Sequence, residues 1–228
     1  VETPEPHRWV VTPGEVHAVD TAVEPDLSNA GPYLAAAVVT GGSVTVPYWP
    51  VETTQIGDRW RTVLPQFGAR VTFTPVEGTN YGDLTVSGSL DAQGKPVIAG
   101  AGELSDLAEL TPTTAAIAML ADGPTHLTNI GHLRGHETDR LIALNAEATK
   151  LGATIEEGED FLSFAGGYAL QPAILESYAD HRMATYAAII GLVVEGTVVT
   201  DIATTAKTMP NFPTAWTELA SAERQIRA

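Results

Sequence analysis

One pattern occurs three times in this chain: an apolar, alanine-rich stretch with helical spacing runs into a glycine and then into a short β-branched segment. The copies are Tyr33-Leu-Ala-Ala-Ala-Val-Val-Thr-Gly-Gly-Ser-Val-Thr-Val46, Ala115-Ala-Ile-Ala-Met-Leu-Ala-Asp-Gly-Pro-Thr-His-Leu-Thr128 and Ala187-Ala-Ile-Ile-Gly-Leu-Val-Val-Glu-Gly-Thr-Val-Val199. A repeat of this kind restricts the chain to architectures in which like units share one core. Gly42, Gly123 and Gly196 are read as helix C-caps, where glycine takes the left-handed conformation without a Cβ clash.

A second, more polar helix is expected after each β-branched segment, over roughly 54–67, 137–151 and 210–219. In the middle one Leu141, Leu144, Ala148 and Leu151 form an inward stripe, with Asp139, Glu147 and Lys150 placed toward water. The first two copies then add hairpins, 70–74 with 83–86 and 153–157 with 161–164, around turns rich in Gly, Asn and Asp. The unit is therefore βαβαββ-like, and three of them make an α/β (α+β) globule. Residues 1–22 precede the first full unit and read as a lead-in belonging elsewhere; 23–228 read as the lobe itself.

Charge and composition narrow the partners. With 12 Lys and Arg against 28 Asp and Glu, a net charge of −16 leaves no broad surface for nucleic acid or anionic lipid. No cysteine is present, so thiolate nucleophiles, disulfides and Cys-type metal sites are excluded. The longest apolar runs, such as Ala187 to Val194, fall well short of the ~18–20 residues that span a bilayer, and no basic-then-apolar leader opens the chain. A soluble, cytoplasmic protein is expected. The chain starts at Val1 rather than Met and reads as a fragment or a processed product.

The less common polar residues collect where a strand or loop turns into a helix. Asp26 precedes the first apolar helix, Glu109 precedes Pro112, His136-Glu-Thr-Asp-Arg140 opens the second polar helix, Asp180-His-Arg182 opens the third apolar helix, and Lys207 precedes Pro210. If the units are equivalent, these helix N-termini converge and offer unpaired amide donors to an anion. Arg134, Arg140, Arg182 and Lys207 sit in the same corners and can set up a local positive field. Other readings stay open: Asp26 and Asp180 are also ordinary N-caps, and Arg140 with Glu137 is also an exposed helix pair. His132 and His136 beside Glu137 lack the His-Glu-x-x-His order of a zinc site, so no metal is expected. Gly100-Ala-Gly102 is followed by Ser105, which fails the dinucleotide pattern, and no nucleophile elbow or phosphate loop occurs.

Two stretches carry a resemblance. His132-Leu-Arg-Gly-His-Glu-Thr-Asp-Arg-Leu141 followed by Lys150-Leu-Gly-Ala153, and Tyr178-Ala-Asp-His-Arg-Met183 followed by Ala206-Lys-Thr-Met-Pro210, resemble the carboxy-terminal half of the 5-enolpyruvylshikimate-3-phosphate synthase family. Val23-Glu-Pro-Asp-Leu-Ser-Asn-Ala30 and Thr40-Gly-Gly-Ser-Val-Thr-Val46 support it, and the likeness runs from about Trp9 to Ala220. It implies one lobe of a two-lobed enzyme, each lobe built from three βαβαββ units. The implied reaction moves the enolpyruvyl group of phosphoenolpyruvate to the 5-hydroxyl of shikimate 3-phosphate, releasing phosphate, with neither metal nor organic cofactor.

The resemblance also implies roles. Glu137 looks like the acid/base at the phosphoenolpyruvate methylene carbon, work suited to a carboxyl whose pKa burial has raised. Glu109 takes the position of the hydroxyl-side acid/base. Arg140 and Arg182 resemble the paired clamp on phosphoenolpyruvate, and Lys207 the phosphate-contacting lysine. His181 is placed beside that phosphate, His132 on the shikimate 3-phosphate side, and Asp26 and Asp180 in supporting, capping places. Arg140, Arg182 and Lys207 are expected to form one anion pocket. His136 stands where the family commonly has lysine, and adjacent Glu137 and bound anions are expected to raise its pKa. The family's glycine- and lysine-containing loop and its Ser-Ser-Gln stretch are not found here, so the chain carries about half of the site and is expected to be inactive alone. A sibling enolpyruvyl transferase acting on a UDP-sugar, or an anion-binding lobe without catalysis, are the alternatives.

Overall fold

The alanine-rich stretches form the middle of the protein. The computed structural model describes residues 1–221, so the part of the expected 23–228 lobe beyond Ser221 lies outside the described residues. The chain starts with an exposed two-stranded hairpin, β1 (Glu2–Glu5) and β2 (Arg8–Val10), and continues to residue 26 without regular structure. Its strands have no buried face, in line with the breaker-rich sequence.

The first unit begins with α1 (Leu27–Thr40), followed by β3 (Ser43–Pro50). The expected 54–67 helix is broken: α2 is only Trp60–Val63, flanked by 3-10 turns at Ile56–Arg59 and Leu64–Phe67. Trp60 sets the position of α1 by donating Nε1–H to the carbonyl of Leu27 at 3.2 Å. A Cβ on Gly31 would sit 2.5 Å from the Trp60 ring, so only glycine permits that approach. Strands β4 (Arg70–Pro75) and β5 (Tyr81–Ser87) close the unit in a sheet ordered β3-β5-β4. A small hairpin of β6 (Ser89–Leu90) and β7 (Pro96–Val97) follows, which the repeat did not foretell.

The second unit is the complete one. Strand β8 (Gly102–Ser105) leads to α3 (Thr111–Leu120) and returns in β9 (Thr125–Thr128), which pairs parallel to β8. Then come α4 (Arg140–Lys150), β10 (Glu156–Glu157) and β11 (Leu162–Phe164), giving a sheet ordered β10-β11-β9-β8. In the third unit β12 (Ile174–Leu175) and β13 (Val198–Val199) pair in parallel around α5 (His181–Gly191), and α6 (Phe212–Ser221) ends the described chain. Among the described residues the βαβαββ order is thus complete once. Among the described residues the first unit has no strand parallel to β3, and the third has no closing hairpin.

Helices α1, α3 and α5 pack on one another, with Leu34, Val38, Ala115, Ile117, Ala187 and Ile190 all buried in the shared core, and small alanines on a helix permit close approach. The sheets flank this layer. In β5 the buried Leu84 and Val86 alternate with residues on the open face, where Thr85 and Thr45 exchange a 2.9 Å hydrogen bond. The expected inward stripe of α4, Leu141, Leu144, Ala148 and Leu151, is fully buried.

The glycine caps need correction. In α1 the left-handed residue is Gly41 (φ 68°), one before Gly42. α3 ends at Ala121 in extended conformation, so Gly123 caps nothing. Gly196 (φ 89°) does turn the chain, but beyond Leu192, where α5 has already ended.

Candidate active site

The N-terminal ends of α1, α3, α4 and α5 meet at one end of the helical layer. Ser28 in the first turn of α1 donates to Glu109, just before α3, at 3.0 Å, and Asp180 at the head of α5 accepts from Arg140 at the head of α4. A side-chain cap takes one of the expected amide donors at three of these heads, and α3 has no such cap. Asp26 accepts from the Asn29 amide (3.1 Å), Asp139 from that of Ile142 (3.1 Å) and Asp180 from that of Arg182 (2.8 Å). Beside these capped heads stand the side-chain cations Arg140, Arg182 and Lys207.

Arg140 is the hub. It is buried, and its guanidinium donates Nε–H and Nη2–H to the fully buried Asp180 at 2.7 and 3.2 Å. Nη2 also reaches Glu137 at 2.9 Å, and Nη1 lies 3.4 Å from His136 Nδ1. The reading of Arg140 and Glu137 as an exposed helix pair is therefore overturned. Asp139 caps α4, so the helix starts at Arg140 rather than 137, and Glu137 stands in the bend before it.

Glu137 joins two cations. One carboxylate oxygen takes Arg140 and the other accepts a very short hydrogen bond from Lys207, which lies at the end of the 3-10 turn Ile202–Lys207. The Lys207 hydrogen bond chiefly, with the Arg140 charge, lowers the Glu137 pKa to about 2, against a smaller opposing effect of burial. The expected upward shift is the wrong sign for this arrangement, because a carboxylate between two cations is stabilised as the anion.

Arg182 completes the ring of charge. Burial lowers its pKa, and the carboxylates of Glu109, Asp26 and Asp180 act against that. Arg140 is close enough to act on it too, so Arg140, Arg182 and Lys207 lie in one neighbourhood, with Glu137, Asp180 and Glu109 interleaved. His181 is buried, and its Nδ1 has no hydrogen-bond partner, standing 3.8 Å from Asp180. Burial and Arg182 hold its pKa down, which keeps the ring neutral near pH 7.

His132 and His136 lie at the exposed rim, their rings 6.1 Å apart. Burial and then Arg140 lower the His136 pKa in the chain itself, outweighing the upward pull of Glu137, whereas the expected rise belongs to the closed complex with bound anions. The His136 imidazole is expected to titrate below 6.5, followed through its ring protons by NMR; a midpoint above 6.5 contradicts the geometry. Arg134 does not join Arg140, Arg182 and Lys207. It is tied to Asp139 (3.0 Å), Glu157 (2.9 Å) and the Gly158 carbonyl (2.6 Å) and braces the turn beside β10.

Two groups escaped the reading of the sequence. Asp139 was placed toward water, yet it both caps α4 and pairs with Arg134. Glu147, also placed toward water, is fully buried, accepting from the Tyr178 hydroxyl, the Glu176 amide and Lys150. The signal was its position: Glu147 falls three residues after Leu144 and four before Leu151, on the inward stripe.

Packed α/β units bring helix heads, three cations and three carboxylates to one end of the helical layer. Comparison with known proteins makes this specific. The family model described as EPSP synthase (3-phosphoshikimate 1-carboxyvinyltransferase) matches residues 1–216. The chain belongs to that family. It is 51% identical over 215 residues to the 3-phosphoshikimate 1-carboxyvinyltransferase of Kocuria rhizophila, a match covering 94% of this chain and 46% of the relative. Two structures of EPSP synthase from Acinetobacter baumannii share its fold, with TM-scores of 0.67 and 0.68 at 23% and 20% identity. They cover 86% and 85% of this chain and 45% of each of theirs. The chain spans about half the length of the curated relatives it matches.

Proposed function

We propose that this chain is the carboxy-terminal lobe of an enzyme that transfers the enolpyruvyl group of phosphoenolpyruvate to the 5-hydroxyl of shikimate 3-phosphate. The observation that supports this most is the placement of Glu137 between Lys207 and Arg140, a proton-carrying group set among cations that suit phosphate and carboxylate. In the addition, the 5-hydroxyl oxygen bonds to C2 of phosphoenolpyruvate while C3 gains a proton, forming a tetrahedral ketal phosphate. In the elimination, C3 gives up a proton and the C2–O bond to phosphate breaks.

Glu137 serves C3 in both steps. To act as an acid it must first be protonated, and Lys207 prevents that in the pairing described above. A substrate phosphate competes for the Lys207 ammonium; once Lys207 turns to it, the chief cause of the low Glu137 pKa is gone. Substrate binding then prepares the acid. Glu109, held by Ser28, is assigned the 5-hydroxyl proton. Arg182 and Arg140 hold phosphoenolpyruvate, Lys207 stabilises the departing phosphate, and neutral His181 lies beside it. His132 and His136 serve the shikimate 3-phosphate side, while Asp180 caps α5, which carries Arg182, and Asp26 caps α1, whose Ser28 holds Glu109. No cofactor enters. The amino-terminal lobe of the same enzyme supplies the rest of the site, residues 1–22 lead toward it, and the cytoplasm is the assigned compartment.

Phosphate release by the full-length protein tests the reading. It is expected with phosphoenolpyruvate and shikimate 3-phosphate together and to be absent with either alone, whereas release with a UDP-sugar acceptor would move the assignment to the sibling reaction. The 228-residue chain is expected to melt cooperatively by circular dichroism and to release phosphate at background. Turnover by that chain alone would overturn the division of the site between lobes.

A further inference from the structure

A second set of buried contacts runs along α4 that the proposed chemistry leaves unused. Glu147 lies seven residues after Arg140, two turns along the same helix face. Both side chains are buried, and both hold the loop that leads into α5. At one end Arg140 donates to Asp180; at the other Glu147 accepts the Tyr178 hydroxyl at 2.5 Å and the Glu176 amide at 3.2 Å. Between these grips, Tyr178 (φ 54°) and Ala179 (φ 53°) are consecutive residues in the left-handed region. L-residues with a Cβ leave that region unless their surroundings hold them there, and two in succession need a firm restraint. Burial, with the Glu147 hydrogen bond, raises the Tyr178 pKa, so the hydroxyl stays a donor throughout the physiological range.

Lys150 does not account for this arrangement. It pairs with Glu147 at 2.9 Å and Glu176 at 3.3 Å from a partly exposed position, and an exposed helix pair needs no buried carboxylate. The two remaining bonds to Glu147 both come from the loop, and the residues that follow that loop are Asp180, His181 and Arg182.

We propose that Glu147, acting through Tyr178, is a positioning residue for the anion site. It holds the strained 178–179 turn against α4 and so fixes Asp180, His181 and Arg182 relative to Arg140. The functional half of this inference rests on Arg140 and Arg182 being the phosphoenolpyruvate clamp; the structural half does not.

Tyr178→Phe removes one oxygen and leaves the ring. In the 228-residue chain it is expected to speed solvent exchange of the Arg140 Nε–H, followed by NMR, by about tenfold or more, because the Asp180 end of the loop loosens. Glu147→Ala is expected to match it, while Glu147→Gln, whose single amide oxygen can still accept from Tyr178 but whose NH2 then faces the Glu176 amide, should speed exchange less than Glu147→Ala does. In the full-length enzyme Tyr178→Phe and Glu147→Ala should each raise KM for phosphoenolpyruvate about tenfold with kcat changed less, and Glu147→Gln should raise it less than Glu147→Ala. If Glu147→Ala fails to fold, Tyr178→Phe still decides. Unchanged Arg140 exchange in Tyr178→Phe would overturn the proposal. Faster exchange with an unchanged KM would uphold the positioning and overturn the reading of the arginines as the phosphoenolpyruvate clamp.

Discussion

Asp180→Ala is expected to destabilise the chain by about 3–5 kcal/mol, enough to consume much of the roughly 5–15 kcal/mol that a domain possesses. Asp180 is fully buried and receives two hydrogen bonds from the buried Arg140 guanidinium and one from the Arg182 amide. Without it Arg140 stays buried with Glu137 as its remaining close carboxylate, and α5 loses its cap, itself about 1 kcal/mol. Urea unfolding of the two chains measures the difference, and a loss below ~1 kcal/mol would mean that water or another carboxylate replaces Asp180. Asp180→Asn, which keeps the cap and one acceptor, should fall between the two. The double replacement Arg140→Met with Asp180→Leu should regain much of the stability, because a buried ion pair seldom surpasses a well-packed apolar pair. An arrangement that apolar residues could replace without loss of stability is more readily explained by what the guanidinium does at the helix heads than by its contribution to folding.

How far the sequence revealed this depends on the distance over which each feature is decided. The repeated apolar helices were legible because helical spacing and alanine content are local, and the gathering of helix heads followed from the repeat. Asp26 and Asp180 as caps were legible for the same reason. Glu147 was misplaced because its charge was weighed above its position between Leu144 and Leu151. The glycine caps failed where other residues ended the helix first, Ala121 in α3 and Leu192 in α5. The direction of the Glu137 pKa could not be read at all: it depends on Lys207, 70 residues away in sequence, arriving in direct contact. Likewise no local pattern separates Arg134, spent on Asp139, Glu157 and the Gly158 carbonyl, from Arg182, which the packing leaves beside Arg140, Glu109 and Asp180.

Glu137→Gln in the full-length enzyme is expected to slow exchange of the phosphoenolpyruvate methylene hydrogens with solvent by ~10²–10⁴-fold, the usual contribution of a positioned proton donor. Substrate binding should not weaken, because the Glu137 carboxylate competes with the substrate for Lys207 and Arg140. In the 228-residue chain the same change frees Lys207, and affinity for inorganic phosphate should rise by about tenfold, equivalent to ~1.4 kcal/mol. The acid limb of stability carries a third signature. With its native pKa lowered from 4.5 to about 2, Glu137 contributes stability that is present above pH 4.5 and lost as pH falls toward 2. The glutamine variant lacks that dependence, so its unfolding free energy should fall less steeply over that interval. At neutral pH the change should cost less than about 1 kcal/mol, since Lys207 is more than half exposed and the pair is screened. Hydrogen exchange followed by mass spectrometry or NMR on the methylene group, isothermal calorimetry with phosphate, and urea unfolding from pH 2 to 7 separate the three effects. Wild-type exchange in Glu137→Gln would transfer the proton role to another group, with Lys207 and His181 the nearest candidates by position; weaker phosphate binding would mean that Glu137 organises the cations rather than occupying their place.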